Sequence, residues 1–207
     1  MSRNVDPDTA ILLVRHGQTS LNVTGHCMGR YDEDLDEVGH IQAHRLSAKL
    51  AAFPITSVYT SPLRRARTTA AILAEPHKLE LNVLNDLVEL GVGDWEGLHP
   101  DEIRRGWPGL YRQLSTDPSG LTIPSGESFP QATERAIRAL HLVLSADRGK
   151  QVLMVTHEVI IKILVAHALG VSNSIYPRLE IGNGSLTVVK FSNNGCRLVT
   201  LNDTSLP

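Results

Sequence analysis

The chain has 207 residues, with Lys+Arg 20, Asp+Glu 22, a formal net charge of -2 and two cysteines. That balance excludes the broad positive field that nucleic-acid or anionic-membrane binding needs. Cys27 and Cys196 are too few and too far apart for a disulfide scaffold or a cysteine metal site.

A chain of this length buries roughly 70% of its unfolded surface and needs no covalent staple, so a single domain over 1–207 is expected. The polar start from Met1 to Ala10 lacks the apolar run of a signal peptide. The longest apolar stretch, Val159 to Gly170, is broken by Lys162 and His167 and cannot span a bilayer. A cytoplasmic protein with no membrane partner is expected.

In chain order, Ile11–Val14 is a continuous apolar run, the mark of a strand covered on both faces. Arg15, His16 and Gly17 follow it directly. From Asp36 to Phe53, Ala43, Leu46, Leu50 and Phe53 recur at helical spacing. Ser57–Thr60 reads as a strand, then Ser61-Pro62 introduces a helix to about Ala74, with Pro62 near its start. The Gly-, Pro- and Trp-rich stretch from Leu90 to Pro130 reads as a long excursion over one sheet edge, helical near Asp101 to Arg105. Excursions of that length serve as lids, and the segment of about 90–130 is assigned that role. Ala132–Leu144 and Val159–Leu169 are helical, and Val152–Val155 is a second doubly covered strand, ending in Thr156-His157-Glu158. Asn194-Gly195 marks a hairpin between Leu186–Phe191 and Arg197–Leu201. Strand–helix alternation of this kind predicts an α/β fold with helices on both sheet faces.

In open α/β sheets, ligands bind beyond the carboxyl ends of the strands. Of nine histidines, His16 and His157 occupy such ends. Either alone reads most simply as a cap or a polar filler; two at equivalent ends of neighbouring strands can meet. Arg64, Arg65 and Arg67 follow a third strand. One of these turned toward the same ends, with Arg15, completes a set of two arginines and two histidines. That set suits a tetrahedral oxyanion, because guanidinium forks match phosphate oxygens and imidazole can donate a proton or attack.

The motifs Arg15-His16-Gly17 with Asn22, Gly39-x-x-Gln42-Ala43, Ser61-x-Leu63-x-Arg65-Ala66 with Thr69-Ala70, and Glu89 before Gly93-x-Trp95-Glu96-Gly97 stand in order. Gly126-Glu127-Ser128, Thr156-His157 and Asn183-Gly184-Ser185 complete them. From Ile11 to Phe191 the chain resembles the histidine phosphatase superfamily, the phosphoglycerate-mutase-like enzymes. The resemblance implies a three-layer α/β/α sandwich with a mostly parallel central sheet. It implies His16 as phosphoryl-accepting nucleophile, Arg15, Arg65 and His157 as the cage for the phosphoryl oxygens, and Glu89 as proton donor to the leaving alcohol. Asn22 is then a phosphate contact, Arg64 a surface residue, and the ligand a small phosphorylated metabolite, with no metal and no cofactor.

Three residues depart from the family pattern. Glu158 stands where glycine is frequent; if its backbone N–H reaches the phosphate, its side chain is expected to turn away, since otherwise it places a negative charge near an anion. Met28 replaces a polar residue and His26 an arginine, both in a loop expected to touch substrate; Met28 is assigned a substrate-binding role.

Rival readings carry less. His40 and His44 lie one helical turn apart with Asp36 nearby, but His157 lacks the second histidine of a zincin motif, and no row of aspartates is present. No Gly-x-Ser-x-Gly occurs. A non-catalytic binding module predicts loss of His16, Glu89, Arg15, Arg65 or His157, and all five are present. A phosphoglycerate mutase is the nearer alternative. The modest Leu98–Pro130 segment and the absence of a further basic cluster favour a phosphatase. The particular phosphomonoester and the oligomeric state, a homodimer among the options, stay open.

Overall fold

The structure, a computed structural model, describes residues 8–205. Met1–Pro7, the polar start discussed above, lies outside them. Strand β1 (Thr9–Arg15) leads through a short helix α1 (Ser20–Thr24) to α2 (Glu37–Leu50), β2 (Ile55–Thr60), α3 (Arg64–Ala74) and β3 (Leu81–Val83). Helices α4 (Pro100–Gly106) and α5 (Pro108–Thr116) follow. The chain then runs through α6 (Phe129–Ala146), β4 (Gln151–Thr156), α7 (Glu158–Ala168), β5 (Leu186–Ser192) and β6 (Gly195–Asp203).

The six strands form one sheet in the order β3-β2-β4-β1-β5-β6. β3, β2, β4 and β1 are mutually parallel, and only β5 runs against the rest. In the β1–β4 ladder Leu12 lies opposite Leu153 and Arg15 opposite Thr156. This register puts the residues following both strands, His16 and His157, side by side at the carboxyl edge.

The continuous apolar runs are explained by two covered faces. Alternate residues of one strand enter different cores: Ile11, Leu13, Val152 and Met154 pack with α6 and α7, while Leu12, Val14, Leu153 and Val155 pack with α2 and α3. Each fully buried Leu or Ile contributes about 1.5–3 kcal/mol relative to exposure, so the edge that carries His16 and His157 rests on heavily buried strands.

Helix ends follow local chemistry. Asp36 accepts the Gly39 N–H at 2.7 Å and starts α2. Ser128 and Gln131 form a reciprocal capping box, with Pro130 in the first turn. That box begins α6 at Phe129, ahead of the apolar pattern that first appears at Ala132. Pro62 does not sit in the first turn of α3; Leu63 is the N-cap, and Pro62 precedes it. The turn after β1 is pressed against the start of α2 so closely that a Cβ on Gly17 or Gly39 would collide with backbone.

In the 90–130 excursion Trp95, Ile103, Leu121 and Ile123 are buried in the α6–α7 core, and Trp95, Ile103, Tyr111 and Leu114 line the same cavity as Arg15 and His16, at the strand ends instead of a sheet edge. No helix among the described residues is long and apolar enough to cross a membrane.

Candidate active site

His16 is 2% exposed, and its backbone N–H donates to the Thr156 carbonyl at 3.0 Å. Its Nδ1 lies 2.7 Å from the Gly17 carbonyl, which can only accept, so Nδ1 carries the ring proton. Nε2 keeps its lone pair and accepts from Arg65 Nε at 3.2 Å. Burial, then Arg65 and Arg15, hold the His16 pKa well below its ordinary 6.5. The imidazole is therefore neutral, with an identified nucleophilic atom.

Arg65 is completely buried. Its two terminal nitrogens donate to the Tyr31 carbonyl at 2.7 Å and the Gly29 carbonyl at 2.8 Å, which fixes the guanidinium against His16. His157 is also completely buried, and its ring centroid is 5.1 Å from that of His16. Ser61 Oγ accepts the Leu63 N–H at 3.3 Å and lies 2.7 Å from His157 Nε2. With the Ser61 hydroxyl donating to Nε2, the proton of neutral His157 resides on Nδ1, buried and without a protein partner. Arg15 donates to the Ile181 carbonyl at 2.6 Å, and its Nε is likewise buried and unpartnered. Leaving a buried donor unmet costs about 1–3 kcal/mol. Two such donors beside a neutral imidazole form a site that an oxyanion satisfies.

Glu89 closes the same cavity, of about 340 Å³, with Arg15, His16, Asn22 and Met28. Its Oε1 accepts the Leu90 N–H at 2.7 Å, and Oε2 the Val159 N–H at 3.4 Å, near the start of α7. Burial outweighs these bonds and the pull of Arg65, so its pKa is pushed up to about 7. A carboxyl poised there can give and take a proton near neutrality.

Residues 11–204 match the family model for the histidine phosphatase superfamily, branch 1. The chain belongs to that superfamily. It is 37% identical over 194 residues to a bifunctional protein of Mycobacterium tuberculosis, covering 93% of this chain and 53% of the relative. The chain thus spans about half the length of the first curated relatives it matches. A metal-independent phosphoserine phosphatase of Arabidopsis thaliana is 36% identical over 156 residues, covering 72% of this chain and 64% of the relative. Among solved structures, YhfR of Bacillus stearothermophilus superposes with a TM-score of 0.88 at 30% identity, covering 94% of this chain and 97% of that one.

Every site residue expected from the histidine phosphatase motifs lies in this region. Arg15, His16, Asn22, Met28 and Glu89 line the cavity, while Arg65 and His157 stand behind it against His16. Asn22 spends its Oδ1 on the α1 capping box and on Asn183 Nδ2 at 2.9 Å, leaving its amide nitrogen for a ligand. Met28 is held by a Thr19 hydroxyl contact at 4.0 Å. Arg64 is a surface residue paired with Asp34 at 3.1 Å. His40 and His44 are exposed on α2, and no group of three or more His, Cys, Asp or Glu among the described residues is placed to hold a metal.

The Glu158 side chain lines the cavity, pairing with Arg15 at 3.0 Å and with Lys162 at 2.6 Å. Motif reading missed a clamp on Glu89. Arg135 of α6 donates to the carbonyls of Asp86 at 2.9 Å and Glu89 at 3.1 Å, and to Val88 between them. It grips Glu127 at 2.7 and 2.8 Å, and Glu127 accepts the Gly91 N–H at 3.2 Å. The signal was present: Arg135 interrupts the buried stripe of Ala132, Ala136, Ala139 and Leu140, a place for charge only if it is fully paired.

The raised Glu89 pKa carries a stability cost. Between its ordinary 4.5 and about 7 the folded chain binds the proton more tightly than the unfolded chain, so stability declines across that window and is flat above it. Glu89→Gln is expected to be more stable than wild type at pH 8 by about 3 kcal/mol, a gap that closes toward pH 4.5. Urea unfolding at the two pH values checks this; no gain at pH 8 contradicts it.

Proposed function

We propose that the chain is a metal-independent phosphomonoesterase acting on a small phosphorylated metabolite through a phosphohistidine at His16. One observation carries the reading: a neutral imidazole whose unprotonated Nε2 accepts from Arg65, buried nitrogens of Arg15 and His157 with no protein partner, and a carboxyl of pKa about 7 share one site. A relative named as a metal-independent phosphoserine phosphatase supports it. Two free thiols, Cys27 and Cys196, fit a reducing compartment such as the cytoplasm.

In the first step His16 Nε2 attacks phosphorus as the ester P–O bond breaks, and the Glu89 carboxyl gives its proton to the departing alcohol oxygen. Arg15, Arg65 and His157 balance the charge on the phosphoryl oxygens, which a loose transition state demands more than covalent assistance. In the second step the Glu89 carboxylate takes a proton from water, the water oxygen attacks phosphorus, and the P–N bond breaks. Inorganic phosphate leaves and Nε2 regains its lone pair. The Nδ1–H bond to Gly17 holds the ring in one tautomer throughout.

The 90–130 segment is the cover of the site in this reading. Orthovanadate, a phosphoryl transition-state mimic, is expected to slow proteolytic cleavage within it; equal cleavage rates with and without vanadate contradict the lid.

For an alkyl phosphate, kcat/KM should fall as pH rises above about 7, where Glu89 loses its proton. The fall should be shallower for 4-nitrophenyl phosphate, whose phenolate leaves without one. Glu89→Gln should lower kcat on the alkyl ester by about 10²–10⁴-fold, and His16→Ala should abolish phosphate release. These rates should hold in excess EDTA. Loss in EDTA with recovery on adding Mg²⁺, or full activity in His16→Ala, would overturn the reading.

A further inference from the structure

We propose that Glu158 makes this cavity select phosphomonoesters whose alcohol carries no second negative charge, with an apolar or aromatic body. The proposal rests on the phosphatase reading and goes beyond it, naming the substrate class and the residue that enforces it.

Beyond the reacting groups, one side of the cavity wall is apolar, with Met28, Trp95, Ile103, Leu114 and Val159 facing it, while Asn22, His26, Tyr111 and Tyr176 supply neutral polar groups. Apolar walls reward an apolar leaving group by roughly 25 cal/mol for each Å² removed from water. Charge is distributed less generously. Arg15 is the sole Lys or Arg among the cavity-lining residues, and Glu158 already pairs with it at 3.0 Å. The next cation, Lys162, is 6% exposed, bound to Glu158 at 2.6 Å and seated over the Tyr176 ring at 4.3 Å. It is occupied and shielded.

The phosphoryl group itself has Arg65, the Arg15 Nε and the His157 Nδ1. A carboxylate or second phosphate on the alcohol has no comparable partner. It meets Glu158 instead, which already occupies both Arg15 and Lys162, so neither cation is left for a second anion. A substrate ammonium gains little from Glu158, since both of its oxygens are held by Arg15 and Lys162. Specificity here comes from cations that Glu158 withholds from a second anion as much as from an attractive wall.

The test measures kcat/KM of the full chain for 1-naphthyl phosphate, phenyl phosphate, O-phosphoserine and 3-phosphoglycerate, in wild type and Glu158→Gln. The double variant Glu158→Gln with Lys162→Met, which leaves no buried ammonium unpaired, runs in parallel. Binding of the same four esters to His16→Ala is measured by calorimetry. Wild type should favour the aryl esters over 3-phosphoglycerate by about a hundredfold, and both Glu158 variants should narrow that ratio by about tenfold. Phosphoserine outperforming the aryl esters, 3-phosphoglycerate matching them, or all four esters shifting alike in the Glu158 variants would overturn the proposal. The two readings fail separately. Equal hydrolysis of all four esters defeats the selection and keeps the phosphatase. Tighter binding of the aryl esters by His16→Ala, with no hydrolysis by wild type, defeats the phosphatase and keeps the selection.

Discussion

The parallel pairing of β1 with β4 sets Arg15 opposite Thr156, and the chemistry of the site depends on that register. A slip of one residue along either strand would turn its alternating side chains to the other face. It would also part His16 from His157, whose rings lie 5.1 Å apart. The register is locked by the two cores, because each strand feeds alternate residues into a different hydrophobic layer. Packing on both faces of the sheet thus fixes the catalytic edge.

Burial then acts on the site in opposite senses. It drives the proton off His16, leaving Nε2 free, and keeps a proton on Glu89 until pH about 7. One desolvated cavity thereby holds a neutral imidazole and a protonated carboxyl side by side, from residues whose ordinary pKa values are 6.5 and 4.5. The carbonyls and carboxylates around the cations hold this arrangement in place: Gly29 and Tyr31 for Arg65, Ile181 and Glu158 for Arg15, and Glu127 with the 86–89 backbone for Arg135.

Much of this was legible in the chain because it is local. Apolar runs such as Ile11–Val14 announce doubly covered strands, and the residues just after a strand are placed by the strand itself. Arg15, His16 and His157 could be found that way, and Arg65 from its motif. What the sequence concealed depends on contacts distant along the chain or on very short elements. β3 has three residues and takes its identity from pairing with β2. α5 is nine residues long with no fully buried residue, and Leu110, Tyr111 and Leu114 meet the core only partly buried. The direction of Glu158 is decided by Arg15, 143 positions earlier, and by Lys162, one turn later. Spacing alone gives neither. The Arg135 clamp joins α6 to a turn nearly fifty residues before it, and only the anomaly of an arginine in a buried stripe betrayed it.

The central claim is that the phosphoryl group passes through His16 Nε2. Rapid quench of Glu89→Gln with 4-nitrophenyl phosphate, a leaving group that needs no proton, tests it most directly, because the variant can be phosphorylated but lacks the base that activates water. A burst of nitrophenolate is expected, matched by an acid-labile, base-stable phosphoryl group that peptide mass spectrometry assigns to His16. Turnover of the ester with no phosphorylated His16 at any quench time, or with the label on another residue, would contradict it.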